Sequence, residues 1–134
     1  MRTLGLGTVV LAAALALAGC GGPGGREDAA AAVAVRLLDA VDQGDGDAAC
    51  ATLAPETLAD LEQSADQPCA EAILGEDLPG PGQVTTTNVY GQWAQVRLDT
   101  DTVFLAVFRG GWRVVAAGCE PRGDRPYDCT LQGG

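Results

Sequence analysis

Apolar positions in the first half of the chain recur every three to four residues, whereas in the second half they alternate. Between Glu27 and Gln43, Val33, Leu37 and Val41 fall at intervals of four with Ala34 and Leu38 beside them, which places a stripe on one face of a helix. Glu27 and Asp28 suit the positive N-terminal end of that helix, and Gly44 can end it. The Asp45-Gly46-Asp47 turn then offers a cap, read at Asp47, ahead of Ala48-Ala49-Cys50. Pro55 fits the first turn of a helix carrying Leu58 and Leu61 on one side, and another helix begins near Pro68, turns Cys69, Ala72 and Ile73 inward, and ends at Gly75.

Leu78-Pro79-Gly80-Pro81-Gly82 breaks the helical period, and the period that follows is two. Val84–Tyr90 is rich in Thr and Val; Trp93–Leu98 alternates Ala94, Val96 and Leu98 against Trp93, Gln95 and Arg97. Thr102–Phe108 is apolar on both faces and predicts a central strand. Trp112–Ala117 sets Trp112, Val114 and Ala116 against Arg113, Val115 and Ala117. Four strands joined by short turns predict an antiparallel meander, and Cys119–Cys129, containing Pro121, Gly123 and Pro126, reads as a clipped loop. Helices before a meander give an α+β domain with the helices on one face of a curved sheet.

The apolar run from Leu4 to Leu17, preceded by Arg2 and followed by Leu17-Ala18-Gly19-Cys20, reads as a signal peptide spanning residues 1–19. As a mature helix it is short for about 30 Å of hydrocarbon. The Leu-Ala-Gly-Cys tetrad resembles the lipobox of bacterial lipoproteins, similar ones rich in Ala, Gly, Arg and Asp occurring in actinobacteria. That resemblance implies cleavage before Cys20, a diacylglycerol on its sulfur, and anchorage of the mature chain at the outer face of the cytoplasmic membrane. Residues 20–26, with Gly21-Gly22-Pro23-Gly24-Gly25, form a flexible tether of roughly 20 Å at full extension, and 27–134 form one domain. Within that domain the expected divisions are helices over 27–76, strands over 84–117 and the clipped loop over 118–134.

Charge narrows the functional classes. From Glu27 to Asp77 there are thirteen acids against one base, Arg36, while five acids balance five arginines from Val84 onward. An acidic half argues against nucleic acid and anionic headgroups as partners. The chain has no His and a single serine, Ser64, so neither a Ser/His/Asp triad nor a His-ligated zinc site is available. With Cys20 assigned to lipid, Cys50, Cys69, Cys119 and Cys129 form an even set in a small exported domain, and two disulfides follow. Four cysteines allow three connectivities; local pairing, Cys50–Cys69 and Cys119–Cys129, is the one expected here. The spacing contains no Cys-x-x-Cys and points to no metal or other cofactor.

The order of elements, the Gly44-Asp45 turn leading into Ala49-Cys50-x-x-Leu53, and the Gly111-Trp112-Arg113-Val114 strand resemble small exported members of the nuclear transport factor two-like, or cystatin-like cone, superfamily. The resemblance covers roughly Glu27 to Cys119 and implies helices packed on a curved sheet; the four expected strands depart from the longer, more strongly bent sheet of a usual cone and leave little depth for a pocket, the alternative being a flatter helix-on-sheet domain without a cavity. Enzymes of that superfamily use a carboxylate base with a phenolic or acidic donor in an apolar cavity. The groups available for this role are Tyr90, Tyr127, Asp99 and Asp101, but the aspartates fall in an expected turn and no motif fixes any of the four against another. Asp39, Asp42, Asp45 and Asp47 lack EF-hand spacing.

Trp93 and Trp112, near Arg97, Arg109 and Arg113, carry the strongest binding hint: pointing outward they make a partner patch, pointing inward they are core. The reading expected is a membrane-anchored, non-enzymatic binding or interaction module of the cell envelope, holding a small apolar ligand or an envelope protein. The alternatives are a cone-type isomerase- or cyclase-like enzyme and a structural accessory subunit of an envelope complex.

Overall fold

In the computed structural model, which describes residues 24–133, helices occupy the first half of the domain and strands the second. The signal peptide, Cys20 and residues 21–23 of the tether lie outside the described residues. The helices are α1 (Gly25–Asp42), α2 (Gly46–Cys50), α3 (Pro55–Ala65) and α4 (Cys69–Gly75). The strands are β1 (Val84–Tyr90), β2 (Trp93–Leu98), β3 (Thr102–Phe108), β4 (Gly111–Arg122) and β5 (Arg125–Gln132). They form one antiparallel sheet in the order β1-β2-β3-β4-β5.

Two element boundaries differ from those expected. The tether gives up Gly25 and Arg26 to the first turn of α1. The sheet has five strands rather than four, because the segment read as a clipped loop is the outer part of β4 and all of β5. Pro126 is accommodated because β5 is an edge strand whose outer side needs no donor. Pro121 falls where the β4–β5 register shifts, between Glu120 and Arg122, and Gly123, with φ 64°, turns the hairpin.

α1 forms over an alanine-rich run with Glu27 and Asp28 in its first turn, and it buries Ala30, Val33, Ala34, Leu37, Leu38 and Ala40. Gly44 takes φ 70° and donates its N–H to the Val41 carbonyl at 3.0 Å, which closes the helix end. The cap of α2 is Asp45, not Asp47: its Oδ1 accepts the Ala48 N–H at 3.0 Å. Pro55 opens α3, and the Cys69 N–H at the start of α4 is taken by Glu62 Oε2 at 2.9 Å.

The helices cover one sheet face. Leu37, Leu38 and Ile73 meet Val96, Val103, Leu105 and Val114, all at most 1% exposed, and each such side chain contributes about 2 kcal/mol of burial. A bulge keeps this face apolar: Leu105 pairs with Val114 but Phe104 pairs with Ala116, so Val115 is extra and Ala117, not Ala116, joins the core beside Leu131. Thr52–Ala54 lies parallel to β4, with the Val114 N–H given to Thr52 O and the Ala54 N–H to Val114 O, both at 2.8 Å. This short ladder covers the part of the β4 edge that β5 does not reach.

Cys50 is bonded to Cys69, joining the end of α2 to the start of α4, and Cys119 is bonded to Cys129 across directly paired positions of β4 and β5. The first junction is tight. A Cβ placed on Gly46 would lie 1.9 Å from the Ala70 carbonyl oxygen, a backbone atom held by α4. Gly46→Ala is therefore expected to lower stability by about 2 kcal/mol, measured as a fall in the urea midpoint at unchanged m-value.

Candidate functional site

The core contains almost no aromatic side chains, and the reason is where the sheet puts them. Tyr90 pairs with Trp93, and Trp93 with Ala106, so all three point to one side; Phe104 and Phe108 share that side by the alternation of β3. It is the face opposite Ala94, Val96, Val103 and Leu105, which the helices cover. Tyr127 of β5 joins the strip by meeting Phe104 edge-on, with ring centroids 5.0 Å apart. Five of the six aromatic residues of the chain thus sit on the sheet face away from the core.

Their exposure is graded. Phe104 and Tyr127 are half-buried, and the Tyr127 hydroxyl accepts from Gln95 Nε2 at 3.3 Å and from Arg97 Nη2 at 3.2 Å. At the other end of the strip Tyr90 is 68% exposed, Trp93 59% and Phe108 38%. Between this end and the start of α3 is an open cleft of about 530 Å³, in which Trp93 and Phe108 face Ala54, Glu56 and Thr57. A lining that joins these two rings to the carboxylates of Glu56 and Asp60 suits a small amphipathic molecule or the side chain of a partner.

The two tryptophans fall on opposite faces. Trp112, paired with Val107, is half-buried against the core, with the Arg26 guanidinium 5.4 Å above its ring. Arg26 also donates to the Gly91 carbonyl in the β1–β2 turn, and Arg113 donates to Ala51 O. Arg97 is committed to Tyr127, and Arg109 is exposed in the β3–β4 turn. The patch composed of Trp93, Trp112, Arg97, Arg109 and Arg113 is therefore not one surface. The aromatic neighbours of Trp93 are Tyr90 and Phe108, and strand alternation was the signal that could have found them.

The carboxylates considered for chemistry serve the backbone. Asp99 Oδ1 accepts the Gln83 N–H at 2.8 Å. Asp101, nearly buried, accepts three: Thr102 N–H at 2.7 Å and Cys119 N–H at 3.0 Å on Oδ1, and Gly118 N–H at 2.9 Å on Oδ2. Burial pushes its carboxyl above the usual value, and those N–H bonds act the other way. Tyr90 and Tyr127 lie on the opposite sheet face from the core and contact neither aspartate in any hydrogen bond among the described residues. Among the described residues no group of three or more His, Cys, Asp or Glu could hold a metal ion, and no helix is long and apolar enough to cross a membrane. Compared with family models, curated proteins and solved structures, the chain matches none.

Proposed function

We propose that this chain is a lipid-anchored, non-enzymatic binding or interaction module on the extracytoplasmic side of a bacterial membrane, built as a small cone-type domain of the nuclear transport factor two-like kind. The observation that carries the reading is the aromatic strip. A domain this small that fills its core with Ala, Val, Leu and Ile, and leaves Tyr90, Trp93 and Phe108 exposed, has large contact residues to spare for a partner or ligand. Two disulfides suit an oxidising compartment, and the Leu-Ala-Gly-Cys tetrad supplies the acylation site at Cys20. The use of Asp99 and Asp101 as backbone acceptors favours binding over acid/base catalysis.

Mass spectrometry of the full chain, expressed in a bacterium and extracted in mild detergent, tests this. The expected product begins at Cys20, carries a diacylglycerol thioether with its acyl chains, and is four hydrogens lighter than the reduced chain, two for each bridge. Photo-crosslinking in the same membranes is expected to give an adduct at Trp93 that Trp93→Ser abolishes. A product beginning elsewhere without lipid, or a strip that captures nothing, would overturn the proposal.

A further inference from the structure

We infer that the end of the domain formed by the start of α1 and by the β1–β2 and β3–β4 turns faces the lipid bilayer, with Tyr90, Trp93 and Phe108 in the headgroup region. This rests on the lipid-anchor reading above and names the bilayer itself as what the exposed end of the aromatic strip meets. Three observations converge on that end. Arg26 in the first turn of α1 donates to Gly91 in the β1–β2 turn and lies over Trp112 at the start of β4, so the point where the tether joins the fold is fastened to these turns. The Val107 N–H, at the end of β3, is given to Gln92 O at 2.9 Å, which fastens the two turns to each other.

The length of the tether is the second observation. From Cys20 to the first residue of α1, Gly25, the chain covers five steps, roughly 17 Å at full extension. A body held that closely presents this end to the surface that holds it. The third is the gradient along the strip: its aromatics are most exposed here and half-buried toward Tyr127. Trp and Tyr favour the membrane interface because each joins an apolar ring to a polar group, and Arg26 and Arg109 beside them suit lipid phosphates. The carboxylates of Glu27, Asp28 and Glu56 also lie near this end, so contact depends on the aromatic rings rather than on net charge.

The test uses the full lipidated chain reconstituted into vesicles of phosphatidylcholine and phosphatidylglycerol, a fraction of them with dibrominated acyl chains. Trp112→Phe leaves Trp93 as the sole tryptophan, and Trp93→Phe leaves Trp112. Trp93 is expected to lose most of its emission in brominated vesicles and Trp112 to keep it. Should Trp112→Phe fail to fold, 5-fluorotryptophan in the wild-type chain reports both positions, and spin-labelled lipid is expected to broaden one of the two fluorine resonances. Trp93 emission unchanged by bromine and quenched equally by aqueous acrylamide in vesicles and in detergent would overturn the inference while leaving the anchor intact. A chain that does not float with the vesicles would overturn the anchor reading itself, and the inference with it.

Discussion

Asp101→Ala is expected to lower the unfolding free energy by about 4 kcal/mol, because a buried N–H left without an acceptor costs about 1–3 kcal/mol and three donors lose theirs. The Gly118 and Cys119 N–H groups are buried, so the alanine variant leaves both without the acceptor that Asp101 supplies. Gly118, with φ 63°, has a backbone shape that few residues adopt, and Asp101 holds it there. For a domain with roughly 5–15 kcal/mol of total stability the loss is a large fraction. Asp99→Ala is the matched control: it removes one exposed bond to Gln83 and is expected to cost about 0.5–1 kcal/mol. Urea unfolding of the oxidised proteins measures both.

The pH dependence of the same comparison has a definite sign. The native Asp101 carboxyl holds its proton more tightly than it does in the unfolded chain, where the ordinary value is 3.8. Its contribution to stability is therefore full below that value and declines as pH rises through the elevated native one. The gap between wild type and Asp101→Ala is expected to be widest in acid and to narrow toward neutrality. A gap that widened with pH would mean that the N–H donors outweigh burial.

Removing the bridge between α2 and α4 with Cys50→Ala and Cys69→Ala is expected to cost about 3 kcal/mol, since the loop it closes spans 19 residues. The effect should be more than entropic. Neither α2, with five residues, nor α4, with seven, is long enough to be helical alone, and each relies on the contact that the bridge maintains. Thermal unfolding should show the lower midpoint, with amide exchange in α2 and α4 accelerated more than in β2 and β3. Uniform acceleration throughout would show that the bridge serves the whole domain equally.

The helices and the first four strands were legible in the sequence because each carries its own period: Val33, Leu37 and Val41 at four, Ala94, Val96 and Leu98 at two. β5 was not, since two prolines and a glycine in a short run read locally as a loop and are acceptable only through a bulge, an edge and a hairpin turn, all properties of the pairing. The same misreading hid Tyr127 from Phe104. The outward position of Trp93 was legible as alternation, but choosing between patch and core required knowing which face the helices cover. The turn position of Asp101 was legible, and its bond to the adjacent Thr102 fits it, but its bonds to Gly118 and Cys119 were not, because these partners lie 17 and 18 residues away and are backbone groups, which any sequence supplies.

The ladder between Thr52–Ala54 and Val114 has a consequence in time. Its neighbouring contact from Ala51 to Arg113 joins positions 62 residues apart, so the Ala51 and Thr52 carbonyls and the Ala54 N–H do not meet these partners until β4 has been synthesised. As the chain grows from its N-terminus, the helices and the 19-residue loop of the first bridge can close early, while the sheet edge that receives Thr52–Ala54 does not yet exist. Docking of the helical half is therefore expected to come late in assembly, and until it happens the oxidised helices would be exposed to a foldase or a protease.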